Sequence, residues 1–280
     1  MMKSFENKVA AITGAGSGIG RALAVALAAK GCHLALCDVD EVGLEETQRQ
    51  TAALGVRVTS EVVDVANREA VYSWADRVAN EHGRVNLIFN NAGVAVASTV
   101  EKMSYGDFEW LMGVNFWGVV HGTKAFLPHL KASGEGHIIN ISSVFGLAGI
   151  PSQSAYNSAK FAVRGFTESL RQELDMLGYG VSASCVHPGG IKTRIAKSAR
   201  MNESIGDLGL GSADEQTREK FERGFITTAQ RAAETILNGV QRNQRRILVG
   251  ADARVYDWLV RLLPTAYQRV AVGYTRYTAR

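Results

Sequence analysis

The sequence predicts an α/β protein in which helices cover both faces of a doubly wound parallel sheet of about seven strands. Short runs rich in Val, Ile and Ala alternate with longer segments whose apolar residues recur every three or four positions. The short runs are continuously apolar, which is typical of strands that are buried on both faces. A chain of 280 residues with 46% hydrophobic and 21% charged residues can bury one sizeable core. These observations indicate a single domain.

Seven runs are predicted to be strands, at residues 9–13, 34–37, 56–63, 85–89, 137–141, 181–186 and 246–249. Four of the intervening segments show clear helical periodicity, at residues 20–29, 41–53, 67–81 and 155–177. Parallel neighbours in a sheet need long crossover connections, and helices of this length provide them. We therefore expect right-handed strand–helix–strand units.

The first predicted strand leads into a glycine-rich turn, residues 14–20 (GAGSGIG), which opens the first helix. Glycines allow a tight turn that brings backbone N–H groups close to a pyrophosphate, and the helix N-terminus behind them favours negative charge. The spacing of Gly14, Gly18 and Gly20 differs from the common G-x-G-x-x-G fingerprint, and a plain tight turn is the alternative explanation. The order strand, glycine turn, helix, strand favours a dinucleotide site.

An acidic residue, Asp38, stands at the end of the second predicted strand, 18 residues after Gly20. A carboxylate there accepts hydrogen bonds from ribose hydroxyls and repels a 2′-phosphate. Neither Ser17 nor Val39 is basic, so no Arg or Lys stands where a side chain would hold that phosphate. The sequence therefore favours NAD over NADP. Asp64, after the third strand, is interpreted either as a neighbour of the adenine or as an ordinary exposed acid at a strand end.

Tyr156 and Lys160 are four residues apart on a predicted helix, so their side chains share one face. A phenol has a pKa of about 10, and to act as a base near neutral pH it needs positive charge from Lys160 and an oxidised nicotinamide ring. Ser143, at the end of the fifth strand, can hydrogen-bond a substrate oxygen as charge changes there. Ser142 competes with Ser143, because adjacent strand residues point to opposite sides. The alternative for Tyr156 and Lys160 is a surface pair without chemistry.

Several separated motifs together resemble the short-chain dehydrogenase/reductase family. They occur in the family's order across residues 8–193: the glycine turn, Asn90-Asn91-Ala92-Gly93, Asn115, Ser143, Tyr156-x-x-x-Lys160 and Pro188-Gly189. The resemblance implies a Rossmann-like fold in which Lys160 also holds the nicotinamide ribose and Asn115 anchors a water linked to Lys160. It selects Ser143 over Ser142. It also implies a homotetramer or homodimer built partly from the helices around Asn115 and Tyr156.

The predicted site residues fall into three groups. The catalytic group is Asn115, Ser143, Tyr156 and Lys160. The cofactor-binding group is Gly14, Ser17, Gly18, Ile19, Gly20, Asp38, Asp64, Val65, Asn91, Ala92, Gly93, Tyr156, Lys160, Pro188, Gly189, Ile191 and Thr193. The substrate contacts are Ser143, Val144, Phe145, Tyr156 and Gly189. His187 has no acid or nucleophile beside it in the sequence and is interpreted as a structural histidine.

The loops expected at the carboxyl ends of the strands, at residues 93–96, 144–150 and 195–196, are mostly apolar. Because ligands bind at that edge of an open sheet, the predicted substrate is a lipophilic secondary alcohol or its ketone, of steroid, retinoid or terpenoid type. One alternative is a 3-ketoacyl-carrier reductase, which Asp38 disfavours because such reductases usually use NADPH. The other is a non-catalytic NAD-sensing protein, which the intact Ser143, Tyr156 and Lys160 disfavour.

Residues 1–250 are predicted to form the Rossmann-like catalytic domain, and residues 251–280 a helical extension of it. The polar segment 194–228 breaks the strand–helix rhythm, which favours a substrate lid or a disordered loop over a solvated helical excursion. In the extension an apolar stripe lies among five arginines; it comprises Trp258, Leu259, Leu262 and Leu263. Packing over the cleft or against a partner subunit, peripheral membrane contact and simple core packing are the three interpretations of this stripe.

Several classes of function are disfavoured. The net charge of +4 is small for this length and gives no argument for nucleic acid. No apolar run reaches the length of a transmembrane helix, and the histidines lack metal-ligand spacing. The three cysteines lack CxxC spacing, which favours buried thiols in a reducing, cytoplasmic setting.

Overall fold

The computed structural model describes residues 4–278 of the chain. The strands in this range are β1 Val9–Thr13, β2 His33–Asp38, β3 Val58–Val62, β4 Leu87–Asn90, β5 Val96–Ala97, β6 Gly136–Ile141, β7 Val181–Pro188, β8 Ile191–Lys192, β9 Arg200–Met201, β10 Thr227–Thr228 and β11 Arg246–Val249. Seven of them form one parallel sheet in the order β11-β7-β6-β4-β1-β2-β3. The short strands pair separately, β8 with β10 and β5 with β9.

Helices cover both faces of the sheet. They are α1 Gly18–Ala28, α2 Glu41–Ala52, α3 Arg68–His82, α4 Tyr105–Met112, α5 Gly118–Ala132, α6 Ser154–Leu177, α7 Glu215–Arg223, α8 Ala229–Gln241, α9 Ala251–Leu262 and α10 Tyr267–Thr278. On β1, Ile12 faces a core shared with α1 and α8, while Ala11 faces a second core shared with α3, α5 and α6. The alternation of a strand's side chains thus fills two cores at once. The predicted doubly wound α/β sheet is confirmed.

The carboxyl ends of five neighbouring strands meet at one edge of the sheet. Gly14 follows β1, Asp38 ends β2, Asn91 follows β4, Ser143 lies just beyond β6 and Gly189 follows β7. Since β7, β6, β4, β1 and β2 are adjacent in the sheet, these residues of distant sequence come to a common edge. The sheet therefore gathers the predicted site residues where ligands bind in open α/β folds.

β7 is longer than predicted. Its pairing with β11 runs from Cys185 to Pro188, two residues beyond the predicted end at Val186. A proline donates no backbone hydrogen bond, so it is tolerated at the last position of the strand, where pairing stops. The extra length carries His187 into the sheet, where it is completely buried.

The segment 194–228 folds into short elements and is not a disordered loop. Its first part is held by pairing of Arg200 with Val96 and of Met201 with Ala97. Its last part returns to the domain by pairing of Thr227 with Ile191. A 3₁₀ turn, Glu203–Leu208, and α7 lie between these two attachments.

The predicted C-terminal extension consists of α9 and α10, and its last two residues, 279 and 280, lie outside the described range. An ion pair fastens α9 to the domain: Asp257 accepts from Arg246, on β11, at 2.7 Å. Asp257 also accepts from Arg261, on α9 itself, at 3.0 Å. No helix between residues 4 and 278 is long and apolar enough to cross a bilayer.

Candidate active site

The glycine turn presents bare backbone to the carboxyl edge of the sheet. α1 starts at Gly18, and the side chain of its N-cap residue, Ser17, forms no capping hydrogen bond. Gly14 and Gly18 have φ angles of 66° and 52°, which glycine adopts without steric cost. A Cβ atom on Gly18 would stand 3.1 Å from the methyl carbon of Thr193. A narrow backbone surface before an uncapped helix N-terminus fits a pyrophosphate.

Asp38 is oriented by the same turn. Its Oδ2 accepts a hydrogen bond from the Gly16 amide at 2.7 Å, and its Oδ1 accepts from the Asp40 amide at 3.0 Å. Each carboxylate oxygen retains a further acceptor site that can receive a ribose hydroxyl. The nearby Arg21 donates to Thr47 Oγ1 at 2.9 Å and to the carbonyl oxygens of Gly16 and Gly43. Its guanidinium therefore joins α2 to the turn, and contact of Asp38 with a ribose stays a prediction.

Thr13 and Asn91 brace the turn from the β4 side. Asn91 Nδ2 donates to the carbonyl oxygens of Thr13 and Gly14, at 2.9 and 3.1 Å. The amides of Asn91 and Ala92 both donate to Thr13 Oγ1, at 2.9 and 3.0 Å. Asn91 and Ala92 thus hold the shape of the glycine turn. Thr13 was not among the predicted site residues, although its place at the last position of β1 was visible in the sequence.

Asp64 and Val65 lie after β3. Asp64 Oδ1 accepts from the Ala66 amide at 2.9 Å, so its carboxylate stabilises its own loop. Val65 is buried, and its carbonyl oxygen lies 3.1 Å from His121 Nδ1. The described contacts favour the ordinary strand-end interpretation of Asp64, and contact of either residue with a cofactor stays a prediction.

The two adjacent serines after β6 have different environments. Ser142 Oγ donates to the carbonyl oxygen of Lys160 at 2.8 Å and is buried. Ser143 Oγ accepts from the Phe145 amide at 3.1 Å. Burial raises the pKa of Tyr156, and a hydrogen bond between Ser143 and the Tyr156 hydroxyl offsets part of that rise. The geometry therefore places Ser143, not Ser142, beside the phenol.

His187 fixes the backbone of Ser143. Its Nδ1 donates to the Ser143 carbonyl oxygen at 3.0 Å, which requires the tautomer protonated on Nδ1. Burial lowers the pKa of His187 to about 4, so the ring is neutral at physiological pH. Its Nε2 has no hydrogen-bond partner within the described part of the chain. This contact supports the structural interpretation of His187, whose ring positions the loop that contains Ser143.

Tyr156 and Lys160 lie side by side near the start of α6. Lys160 Nζ is 5.5 Å from the centre of the Tyr156 ring and donates to the Ile141 carbonyl oxygen at 3.0 Å. Burial lowers the pKa of Lys160 to about 8. Burial also raises the pKa of Tyr156 to about 12, so the phenol is neutral at physiological pH. Deprotonation of Tyr156 therefore needs positive charge beyond that of the protein alone.

Asn115 lies in a π-helical turn, Gly113–Trp117, between α4 and α5. Such turns occur frequently at functional sites. Asn115 Oδ1 accepts from the Val94 amide and its Nδ2 donates to the Val94 carbonyl oxygen, both at 2.8 Å. A Cβ atom on Gly93 would stand 3.3 Å from Asn115 Oδ1 and 3.6 Å from Lys160 Nζ. Asn115 therefore clamps the loop after β4 next to Lys160, and its predicted link to a water stays a prediction.

The loop after β7 is held by the C-terminal extension. The Gly190 amide donates to Asp252 Oδ2 at 2.6 Å, and the Gly189 amide donates to the Val249 carbonyl oxygen at 2.9 Å. The Asp252 carboxylate occupies the space that a Cβ on Gly189 would need. Ile191 is buried, so its side chain is closed to a ligand, and contact of its backbone with a cofactor stays a prediction. Asp252 was missed because it lies outside the motifs; its place in the first turn of a helix was the available signal.

The predicted substrate loop packs directly on the phenol. The Phe145 ring stands perpendicular to the Tyr156 ring, with the ring centres 6.0 Å apart. Val144 is buried in the same loop. The Phe145 ring therefore places an apolar surface beside the Tyr156 side chain.

Two residues that were not predicted shape this loop. Asn157 Nδ2 donates to the carbonyl oxygens of Phe145 and Ala148, at 2.7 and 2.8 Å. The Gly149 amide donates to the Tyr267 hydroxyl at 3.0 Å. Asn157 follows Tyr156 directly, so its position next to the tyrosine was the available signal, whereas Tyr267 lies more than a hundred residues away and had none.

A cleft of about 1290 Å³ opens beside the site. It runs from Ser17 and Gly18 past Thr193 to α7 and α8. Over residues 4–278, no three His, Cys, Asp or Glu side chains come together as metal ligands. The chemistry available to these residues is proton transfer at Tyr156 beside a backbone surface suited to a dinucleotide.

Comparison with known proteins agrees with this geometry. The family model described as short chain dehydrogenase matches residues 8–204. The chain is 51% identical to the "Putative oxidoreductase SadH" of Mycobacterium tuberculosis, over 99% of this chain and 98% of that protein. It is 33% identical to human "Estradiol 17-beta-dehydrogenase 11", over 96% of this chain and 83% of that protein.

A solved structure of similar shape is a short chain dehydrogenase/reductase from Burkholderia phymatum in complex with NAD. The two chains superpose with a TM-score of 0.86 and 33% sequence identity, covering 94% of this chain and 96% of that one. Family model, relatives and solved structure agree on the family and on the fold. The chain belongs to the short-chain dehydrogenase/reductase family of oxidoreductases.

Proposed function

We propose that this oxidoreductase interconverts a lipophilic secondary alcohol and its ketone, with NAD as the hydride carrier and Tyr156 as the general acid/base. The observation that carries the proposal is the grouping of three side chains: Ser143 hydrogen-bonds the Tyr156 hydroxyl, and the buried amine of Lys160 lies 5.5 Å from the centre of the Tyr156 ring. Such a group can move one proton at one oxygen atom, which is what alcohol–carbonyl interconversion requires of a protein.

The chain's residues fit NAD. The uncapped N-terminus of α1 suits the pyrophosphate, and Asp38 suits a ribose that carries two hydroxyls. When bound, NAD⁺ accepts the hydride from the carbinol carbon and supplies positive charge near the phenol. The Burkholderia relative, which contains NAD, supports this choice.

Tyr156 takes the alcohol proton in the oxidative direction. Its raised pKa of about 12 makes it a poor base by itself, and positive charge at the site lowers that pKa. Lys160, with a pKa of about 8, is mostly protonated at neutral pH and supplies part of that charge. Ser143 donates to the substrate oxygen as negative charge develops there. In the reductive direction Tyr156 returns the proton to the same oxygen.

The substrate side of the site is apolar. Phe145 stands against Tyr156, and the loop containing Val144, Leu147 and Ala148 is built from apolar residues. An apolar wall with one polar centre favours a lipophilic alcohol over a sugar or hydroxy acid. Within the proposal, the segment 194–228 serves as the lid, because its strand β9 pairs with the loop segment β5 after the nucleotide-binding strand β4.

We also propose a homodimer or homotetramer assembled through α5 and α6. Trp117 and Phe161, on these helices or next to them, are 51% and 41% exposed in the single chain. Large apolar side chains on adjacent helices favour association. Light scattering of the purified protein gives the mass of the assembly, and a monomer would contradict this part of the proposal.

The decisive experiment combines a cofactor titration with an alcohol panel. We expect NAD to exceed NADP by about tenfold or more in kcat/KM, and steroid, retinoid or terpenoid alcohols to be oxidised. Tyr156→Phe should lower kcat by about 10²–10⁴-fold. Tyr179→Phe, which alters a partly exposed tyrosine just beyond the end of α6, is the matched control. Preference for NADP, or turnover of sugars and hydroxy acids only, would contradict the proposal.

A further inference from the structure

We propose that the outer side of the C-terminal helices is a docking surface for an anionic lipid bilayer. We call it the α9 face and define it by Val255, Trp258, Leu262, Leu263 and Val270. The inference depends on exposure and charge in this region, and it is independent of the proposed catalytic function.

The helix α9 is apolar on two opposite sides. Its inner side contains Ala253, which is completely buried against the domain. Val255, Trp258 and Leu262 recur at intervals of three and four residues, so they share the opposite side of the helix. Their exposed fractions are 63%, 67% and 57%. A helix that only packs on its own domain places polar side chains on its outer side.

Two further apolar side chains of the extension are exposed. Leu263, at the end of α9, and Val270, on α10, are 40% and 55% exposed. A group of exposed apolar side chains that includes a tryptophan marks a contact with another apolar body. Tryptophan is the residue that favours the interface between lipid headgroups and acyl chains.

The unpaired charges of the two C-terminal helices, Arg254 on α9 and Arg269 and Arg276 on α10, are positive among the described residues. Arg254, Arg269 and Arg276 are exposed and form no ion pair with any residue in the described part of the chain. The two acidic residues of the extension are engaged elsewhere: Asp252 with the Gly190 amide, and Asp257 with two arginines. Unpaired arginines beside an apolar helix face complement anionic lipid headgroups, while their aliphatic stems lie along the apolar surface.

The same charges disfavour a second copy of the chain as the occupant. A two-fold interface brings each surface against its own copy. Two copies of the α9 face would oppose arginine to arginine, with Asp252 and Asp257 already bonded within each chain. An anionic bilayer meets both the apolar and the charged parts of the face. Because no helix among residues 4–278 is suited to cross the bilayer, the contact is peripheral.

Vesicle co-sedimentation of the full-length protein tests the proposal. The vesicles are phosphatidylcholine alone, or phosphatidylcholine with about one third phosphatidylglycerol as the anionic lipid. The wild type should sediment with the anionic vesicles, and high salt should weaken its binding. W258Q/L262Q should lower the partition coefficient by about tenfold or more. R254Q/R269Q should lower it by about tenfold through loss of charge.

Matched variants distinguish binding through the α9 face from nonspecific adsorption of the protein to vesicles. L54Q/M176Q alters two exposed apolar side chains on other helices or their ends and should bind as the wild type does. W258F keeps an apolar ring and should also retain binding. Circular dichroism verifies the folding of each variant. If W258Q/L262Q fails to fold, R254Q/R269Q still tests the proposal, because Arg254 and Arg269 are exposed and unpaired among the described residues.

Three results would overturn the proposal. The first is wild-type protein that remains in the supernatant with anionic vesicles. The second is W258Q/L262Q or R254Q/R269Q that binds as strongly as the wild type. The third combines two observations: neither the wild type nor W258Q/L262Q binds vesicles, and light scattering gives a smaller assembly for W258Q/L262Q than for the wild type. That result would assign the α9 face to a second copy of the chain.

Discussion

The helices α6 and α9 depart from the usual pattern of burial in opposite directions. α6 buries an amine: Lys160 is 3% exposed, and its Nζ donates to the Ile141 carbonyl oxygen. α9 exposes an indole: Trp258 is 67% exposed on the outer side of the helix. Lysine is almost never fully buried and tryptophan is highly buried on average. Each departure costs stability, so each indicates a requirement other than folding.

The residues that surround Lys160 differ in kind from those that surround Trp258. Around Lys160 the protein provides a carbonyl acceptor, a phenol and a buried setting that lowers the pKa of the amine to about 8. Around Trp258 it provides more exposed apolar side chains and unpaired arginines among the residues described. The first arrangement is complete within the chain and suits chemistry. The second is incomplete without an external surface and suits binding.

Removal of the buried amine should have the largest effect. Lys160→Met preserves the length and the burial of the side chain but removes its charge, so Tyr156 loses the cation that lowers its pKa. We expect kcat/KM to fall by about 10²–10³-fold, with the alkaline limb of the pH–rate profile displaced. Steady-state kinetics over a series of pH values from neutral to alkaline measure this. Lys124→Met, at an exposed position on α5, is the control. An equal fall in kcat/KM in Lys160→Met and Lys124→Met would refute the role assigned to Lys160 on α6.

The adjacent serines provide a sharper test at the same site. Ser143→Ala should lower kcat by about 10²-fold, because the developing oxyanion loses its donor. Ser142→Ala removes only the hydrogen bond to the Lys160 carbonyl oxygen, and it should cost about 1 kcal/mol of unfolding free energy with kcat little changed. Kinetics and urea unfolding of both variants distinguish these effects. A larger kcat loss in Ser142→Ala would show that the wrong serine had been assigned to the substrate.

Two buried histidines should make the stability depend on pH. Burial lowers the pKa of His137 to about 3 and that of His187 to about 4, from an ordinary value of 6.5. The unfolded chain therefore binds protons that the folded chain does not, and stability falls as the pH drops below about 6.5. We expect a loss of about 2 kcal/mol for each histidine between about pH 7 and pH 5. Urea unfolding at both pH values measures it.

His137→Gln is the informative variant for this pH dependence. It should remove about half of the loss between about pH 7 and pH 5, whatever its stability at neutral pH. His129→Gln, which makes the same change at a histidine whose side chain is 26% exposed, is the control for the substitution itself. An unchanged slope in His137→Gln would mean that other groups cause the loss.

The smallest expected effect concerns a contact between the C-terminal extension and the loop beside Tyr156. Tyr267, at the start of α10, accepts a hydrogen bond from the Gly149 amide in the loop beside Tyr156. Tyr267→Phe should raise KM by about fivefold, equivalent to about 1 kcal/mol, while kcat stays the same. Tyr105→Phe, at an exposed position on α4, is the control. A large fall in kcat would show that the extension takes part in the chemical step.

Much of this arrangement could be predicted from the sequence. Apolar runs identified the inner strands of the main sheet, because strands buried on both faces leave that pattern. The edge strand β3 (VTSEV) is half-buried and its run includes polar residues. The glycine turn and the Tyr156–Lys160 pair depend on short-range geometry, a tight turn and one turn of helix, and such geometry is visible in residue spacing. The cofactor and the family followed from these local features.

Other features depend on contacts between residues distant in the sequence. Asp252 holds the Gly190 amide across 62 positions, and Tyr267 holds Gly149 across 118. Neither pair has a sequence spacing that marks it. The environments of Ser142 and Ser143 depend on where the Lys160 carbonyl oxygen and the Tyr156 phenol lie, which only the packing of α6 against β6 decides.

The sequence by itself determined the sheet, the nucleotide-binding turn and the identity of the candidate proton-transfer residues, because each arises from local backbone preference or short spacing. The tertiary structure decided which serine meets the phenol, which residues of the C-terminal extension support the site, and that Trp258 faces outward. Those outcomes depend on how whole elements pack together. Burial of one side of α9 against the domain leaves the other side, apolar and flanked by arginines, to face the surroundings.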